Sequence, residues 1–447
     1  MVLPKAMEKG PTGMGYTLPA TPASLEATGL TPAFVSDLLL KHLYRHGTLS
    51  GMALAQKLCL PFPAIEILLE ETLEDAYCEK RGGDGLGHAT DRFSLTERGR
   101  AYARDVLDID TYTGPAPVPL VQYNHYIQQS MAQTISVTET KLRQAWQTCI
   151  LDDDLYEQLG PAICSGKSCF LYGPPGTGKT TIAKMIARYL DREGGATAIP
   201  HAVLVGGSVI RVFDPVYHVA TKPEADQNTP RWLRNEAGDR RWVCCQRPAV
   251  VVGGELTLDM LDLRYNPTIR YYEAPLQMKA NGGVFIIDDF GRQMVSAKDL
   301  LNRWIVPLEE RHDYLTLHTG KKFSIPFQQF VVFATNLRPE ELVDEAFLRR
   351  IRYKIFIGEP SEAAYLAIFN QECRKKNLLI QNGDLETLIK KHYRKNNRLL
   401  RACDPRDITD RLADDIAYNN NPREITLPRL DQHFTAYLAD LKTARPA

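Results

Sequence analysis

The chain has no excess of charge of either sign: Lys and Arg number 54, Asp and Glu 54. No overall field therefore draws it towards nucleic acid or an anionic membrane, and any such binding must be local. Long apolar runs are also missing. None approaches the length a membrane-spanning helix needs, and Lys5 and Lys9 are followed by no apolar leader core. Of the nine cysteines, none forms a Cys-x-x-Cys pair. Cys244 and Cys245 are adjacent, so on a strand they point to opposite faces and cannot share a metal. Buried free thiols in a cytoplasmic protein are the expectation. No Ser-His-Asp order and no metal-ligand cluster stand out. What is present is an ordinary globular composition, 44% hydrophobic over 447 residues, a length that calls for roughly two to four domains.

One stretch organises the rest. Gly173-Pro174-Pro175-Gly176-Thr177-Gly178-Lys179-Thr180 fits the phosphate-binding pattern G-x-x-x-x-G-K-[ST]. An apolar run, Cys169-Phe170-Leu171-Tyr172, precedes it; Ile182, Met185, Ile186 and Tyr189 recur at helical spacing behind it. A nucleoside triphosphate needs inward-pointing backbone N–H groups, a close approach that only glycine permits, a cation on the outer phosphates and a hydroxyl on magnesium. Residues 173 to 178 with Thr181 would cradle the phosphates. Lys179 would reach the β- and γ-phosphates, and Thr180 would ligate Mg²⁺.

Residues 1–29 are rich in Gly, Pro, Thr and Ala without periodicity and read as a flexible tail. Thr31-Pro32 starts a helix whose apolar face, Phe34 to Leu43, ends at Gly47. Helices from Ser50 to Leu58 and from Pro63 follow, then Tyr77-Cys78-Glu79-Lys80, a glycine turn, Phe93-Ser94-Leu95-Thr96 and a closing helix from Arg98. Together, over 30–112, these resemble a winged helix. A DNA-reading third helix needs basic or amide side chains outward. Here Glu66, Glu70, Glu71, Glu74 and Asp75 face out, so a protein-docking role is favoured over DNA. Residues 113–135, opening with Gly114-Pro115-Ala116-Pro117-Val118-Pro119, read as a stiff linker.

From about Ser136 onwards the chain resembles an AAA+ ATPase: an α/β phosphate-loop core over 136–357 and a helical lid over 358–447. Gly282 to Ile287 followed by Asp288-Asp289 looks like its Walker B motif. The resemblance implies that Asp288 holds magnesium through water and that Asp289 polarises the attacking water. The family's usual residue at the second place is Glu, one methylene longer. Phe330 to Thr335 followed by Asn336 matches the first sensor, which would orient that water. Asp344 to Ile351 resembles the segment carrying the arginine finger, with Arg350 the first choice and Arg349 the reserve. Asp404-Pro405-Arg406-Asp407 reads as a helix start with Asp404 as N-cap. Arg406 resembles the second sensor, with a local pair to Asp407 as the alternative.

Two features narrow the group. Tyr314 to Leu317 and Lys321 to Phe327 flank a glycine turn as a hairpin should. It looks like the pre-sensor hairpin of MoxR-type ATPases, enhancer-binding proteins and MCM-type helicases, its tip at Lys321-Lys322. Before Walker B, a helix from Gly253 interrupted at Arg264-Tyr265-Asn266-Pro267 is expected, with Tyr265, Tyr271 and Tyr272 either gripping a partner or buried together. An insertion near 195–247 holds an expected hairpin, His201 to Phe213, and an exposed polar run, Thr221 to Asp239. The resemblance implies an ATP- and Mg²⁺-dependent ring ATPase, hexameric in the family, that remodels a protein partner. A DNA-acting regulator or loader and an ATP-sensing scaffold with slow turnover stand as alternatives.

Overall fold

The computed structural model describes residues 18–82, 87–132, 135–221, 238–342, 348–420 and 422–443. Its central sheet has five strands in the order Ala249–Val252, Val284–Ile287, Phe330–Thr335, Ser168–Tyr172 and Tyr353–Phe356. The strand before the phosphate loop thus sits between two strands that come much later in the chain. It pairs in parallel with both, Thr335 and Phe356 each lying opposite Tyr172. Val284–Ile287 and Phe330–Thr335 are buried throughout, as expected of strands covered on both faces. Their apolar run ends where polar residues begin, so chemistry collects at the carboxyl ends, beside the switch in strand order.

The chain divides into two compact units: residues up to 135 with 190–285 and 299–330, and residues 136–189 with 286–298 and 331–447. In the first, Thr31 Oγ1 caps Pro32–His46 by accepting from Phe34 N–H, and Ser50 caps Gly51–Leu58 in the same way. A third helix, Phe62–Glu74, buries Ala64, Ile65, Leu68, Leu69 and Thr72 and leaves Glu70, Glu71 and Glu74 outward. Leu49–Ser50, Arg92–Leu95 and Cys78–Lys80 form a three-stranded antiparallel sheet, and Glu97–Ile109 closes the group.

A second five-stranded sheet in this unit corrects two expectations. Residues 113–135 are not a stiff linker throughout. Val118–Pro119 pairs in parallel with Ala202–Val205, and Leu120–Ala132 is a helix that buries Tyr123 and Ile127. The prolines lie ahead of that helix and so do not interrupt it, and Tyr123 and Ile127, four apart, share its buried face. The region from Gly253 does not open as a helix either, although a short helix, Leu276–Lys279, does follow the break, where resumption near Ala274 is expected. After a 3₁₀ turn at Leu258–Leu261, Arg264–Asn266 and Tyr271–Glu273 form an antiparallel hairpin whose second strand joins Ser208–Arg211. Asn266-Pro267 makes the turn, and β-favouring Tyr271 and Tyr272 continue as strand. Tyr272 is buried and Tyr265 exposed; both contact His318 at the tip of the later hairpin.

The other expected hairpins lie where the sequence puts them. Ala202–Val205 pairs with Ser208–Arg211 across Gly206-Gly207, both at positive φ, as a tight two-residue turn requires. His312–Thr316 pairs with Lys322–Pro326. Most of the polar run from Thr221 lies outside the described residues, as does the first part of the tail. The later part of the tail has structure: Glu26–Thr28 is a 3₁₀ turn, Thr28 is buried, and its carbonyl accepts from Arg241.

In the second unit, Phe170 packs against Phe290 and Phe333. Four helices, Glu362–Lys375, Asn382–His392, Asp404–Asn419 and Leu427–Thr443, enclose their own apolar core around Tyr365, Phe369, Leu412 and Phe434.

Candidate nucleotide-binding site

The strand Ser168–Tyr172 delivers Gly173 at its carboxyl end, and the helix Lys179–Gly194 begins at the loop's last residues. The amino-terminal turn of that helix presents unpaired N–H groups and the positive end of its dipole. The loop's glycines are required sterically. A Cβ on Gly173, where φ is 145°, would stand 2.2 Å from the Ile357 carbonyl oxygen. One on Gly176, at φ 84°, would stand 2.5 Å from Cys403 Sγ. Thr177 Oγ1 donates to the Pro174 carbonyl, holding the loop closed on itself.

Lys179 is buried, and its Nζ donates to the carbonyls of Gly173 at 2.9 Å and Pro174 at 2.7 Å. Burial pushes its pKa down, while Asp289 and Asp288 oppose the shift. The ammonium is therefore held within the loop, beside the backbone it would share with a phosphate. Thr181, one turn into the helix, is exposed.

The acidic pair lies at the end of the next-but-one strand. Thr180 Oγ1 donates to both Asp288 carboxylate oxygens, at 2.8 and 3.0 Å. A hydroxyl and a carboxylate in contact are the hard oxygen donors that Mg²⁺ prefers, so these residues fit that ion. Asp289 takes a left-handed backbone with φ 50°. Its Oδ1 accepts from Asn336 Nδ2 at 3.2 Å. The amide expected to orient water and the carboxylate expected to polarise it are thus neighbours, although 47 residues apart in sequence.

Sequence reasoning missed what holds this corner in shape. Gln293 Nε2 donates to the carbonyls of Asp288 and Asp289, and its Oε1 accepts from Gly291 N–H. Phe290 N–H donates to the Ala334 carbonyl while Thr335 Oγ1 donates to the Phe290 carbonyl. A glutamine five residues beyond an acid gives no recognisable signal, because its partners are backbone atoms.

The arginines are placed differently. The start of the segment Asp344 to Ile351 lies outside the described residues; beyond it, Arg349 is exposed and Arg350 half-buried beside buried Ile351. Arg406 is in the first turn of its helix but turns to its neighbour: Nε and Nη2 donate to Asp407 Oδ1 at 3.0 and 2.9 Å, with the side chain 64% exposed. Here the local pair is the arrangement adopted. The helix cap also shifts by one residue. Cys403 occupies the N-cap position, and Asp404 is instead buried, accepting from Tyr393 and Tyr437 hydroxyls at 2.8 and 2.7 Å. Burial wins over those bonds and raises the Asp404 pKa. Cys403 N–H donates to the Gly176 carbonyl at 3.0 Å, which ties this part of the helical region to the loop.

All nine cysteines are free, and no group of three or more His, Cys, Asp and Glu side chains among the described residues is placed to hold a metal. Nor is any single described helix long and apolar enough to cross a membrane.

Parts of the chain are similar to known proteins. Residues 169–214 match the profile of the ATPase family associated with various cellular activities (AAA). Residues 361–433 match a domain of unknown function, DUF8689. A probable 26S proteasome regulatory subunit 10B of Caenorhabditis elegans is 39% identical over 51 residues, 11% of this chain. That stretch spans only 12% of the relative's length. Among solved structures, a RuvB mutant of Thermotoga maritima is 14% identical with a TM-score of 0.35, covering 67% of this chain and 71% of its own. The Thermotoga maritima RuvB Holliday junction branch migration motor is 13% identical at 0.35, covering 69% and 73%. Sheet order, phosphate loop and family match together make the fold a phosphate-loop AAA+ core with a helical carboxyl-terminal region.

Proposed function

We propose that this chain hydrolyses ATP with Mg²⁺, assembles into a ring, and uses the cycle to remodel a protein partner. The observation that carries the reading is the meeting of Thr180 with Asp288, and of Asn336 with Asp289, beside the Lys179 loop. Lys179 and the loop N–H groups would bind the β- and γ-phosphates. Thr180 and Asp288 would hold the magnesium, which supplies charge neutralisation on the phosphates. Asp289 and Asn336 would place and polarise water in line with the γ-phosphate. Arg350, or failing it Arg349, would complete the site across a subunit interface, so that hydrolysis follows assembly. The hexamer is the ring the family resemblance favours.

In this reading residues 30–112 act as a winged helix that recruits the partner. The outward carboxylates of Phe62–Glu74 favour a protein over DNA, since they would repel phosphates. The hairpin ending at Lys321-Lys322 and the one carrying Tyr265 form the moving surface.

The test is ATP turnover against protein concentration for wild type, Lys179→Ala and Arg350→Ala. The motor reading expects turnover per chain to rise with concentration. It expects Arg350→Ala to lose about 10³-fold while keeping ATP binding. ATP binding with turnover near zero at every concentration overturns it. A second reading, an ATP-sensing scaffold, is favoured by one observation: the acid at 289 is an aspartate already engaged by Asn336. A large gain in single-turnover rate for Asp289→Glu would support that slower protein.

A further inference from the structure

The first unit holds a cavity of about 760 Å³, a size that suits a small ligand. The end of the helix Pro32–His46, the segment 111–115, the surroundings of His201 and Arg211, and the hairpin residues Ile269 and Tyr271 wall it. No Asp or Glu lines it. The acids just behind the wall each have a cation of their own: Glu273 pairs with Arg211 at 2.5 Å, Asp214 with Lys279 at 2.7 Å and Asp110 with Lys41 at 2.8 Å. Arg45 remains. It lines the cavity and has neither an ion pair nor a hydrogen bond among the described residues. Burial and then the charges of Lys57 and Arg45 hold the His46 ring below its ordinary pKa, so the field at this end of the helix is positive.

Hydrogen bonding points the same way. Four carbonyls of lining residues are already taken: Thr111 by Thr113 Oγ1, Gly114 by His42, Pro115 by the Tyr112 hydroxyl, and Ile269 by both N–H and Oγ1 of Thr111. Donors are left over. Arg211 gives only Nη2 to Glu273, and its charge reaches the Tyr112 hydroxyl, where it opposes the burial that raises that pKa. The ring nitrogens of His201 and the hydroxyls of Tyr44 and Tyr271 bond to nothing among the described residues. A wall with spare donors, no acid and two guanidinium groups selects an anion.

The rest of the wall is aromatic. Tyr112 and Tyr271 meet edge to face at 5.6 Å, as do His201 and Phe213. Such pairs offer both ring faces and ring edges to a third ring.

We propose that this cavity binds a small anion carrying an aromatic ring, its charge met by Arg45 and Arg211 and its ring by the Tyr112–Tyr271 and His201–Phe213 pairs. A carboxylate and a phosphate monoester share that chemistry. The site does not depend on nucleotide binding, since the phosphate loop belongs to the other unit.

The experiment is calorimetry of the full chain with four probes: naphthyl phosphate, naphthylacetate, the neutral naphthylethanol and ring-free inorganic phosphate. At least one naphthyl anion should bind saturably, with naphthylethanol and phosphate each roughly tenfold weaker or more. Arg211→Ala should weaken the anion about ten- to hundredfold. Arg45→Ala should weaken it about three- to tenfold at an unchanged melting temperature, because Arg45 bonds to nothing in the fold. Glu273→Gln should tighten it by releasing Arg211, whereas a merely disturbed wall would weaken it. Lys179→Ala should leave it unchanged. The tighter of the two anions then names the headgroup. No binding of either anion overturns the proposal, and so does naphthylethanol binding equally well, which would make the cavity an apolar slot. Binding lost in Lys179→Ala but kept in Arg211→Ala would place the anion at the phosphate loop and overturns it too.

Discussion

Residue chemistry at the loop leaves little freedom. Gly173 combines a positive φ with a backbone carbonyl 2.2 Å from where a Cβ would stand, and a carbonyl of a paired strand end cannot yield as a side-chain tip can. Gly173→Ala should therefore abolish detectable ATP binding and also lower the melting temperature of the unit that holds it. Differential scanning calorimetry with and without ATP checks both. Asp289 makes a narrower prediction. Asp289→Asn keeps size and loses the charge that, in the proposed reading, would activate water, so turnover should fall about 10²- to 10⁴-fold with ATP affinity nearly unchanged. A parallel loss of affinity would instead make Asp289 a binding residue.

Elements show where pattern reading succeeds and where it does not. The hairpin at Gly206-Gly207 is legible because two glycines between alternating apolar residues admit few other conformations. Acids after a buried strand, with an amide at the end of another, are legible for a similar reason. The helix Leu120–Ala132 was hidden behind its prolines, although Tyr123 and Ile127 face one core. If that helix is integral, Ile127→Ala should destabilise its unit by about 2–5 kcal/mol in urea unfolding. A mere tether would tolerate the change. The strand pair Arg264–Asn266 and Tyr271–Glu273 is legible only as a break in a helix, because its sheet partner, Ser208–Arg211, lies more than fifty residues earlier. Local propensity cannot see such a partner.

At the scale of the whole molecule, acid sensitivity follows from buried histidines. His42, His201 and His218, all in the first unit, are each lowered to about 4, burial being the largest cause. His42 Nε2 bonds to the Gly114 carbonyl. His218 Nδ1 accepts from Asp214 N–H while Nε2 meets the Lys279 carbonyl, so a second proton would break a bond. The unfolded chain takes up these protons near pH 6.5 and the folded chain only near 4. Stability is therefore full above about pH 6.5 and declines as pH falls between those values. Each group contributes of the order of 2 kcal/mol by pH 5. Urea midpoints of this unit should drop from pH 7 to 5, and His42→Gln, which keeps a donor for Gly114, should make the decline shallower. A flat profile would show that these rings titrate normally.

By itself the sequence determined the chemistry that depends on neighbours along the chain: the phosphate loop, the acids and amide ending apolar strands, the glycine turns and the lid helices. Only the tertiary structure decided which of those ends meet. Inserting Ser168–Tyr172 between strands that follow it by far put Asn336 against Asp289 and Thr180 against Asp288. Folding also tied the Cys403 N–H to the Gly176 carbonyl, whereas Arg406 turned to its sequence neighbour Asp407. A motif records the residues a reaction needs at short range. Partners at long range are set by strand order, burial and the competition of charges for one another, and these exist only once the chain has folded.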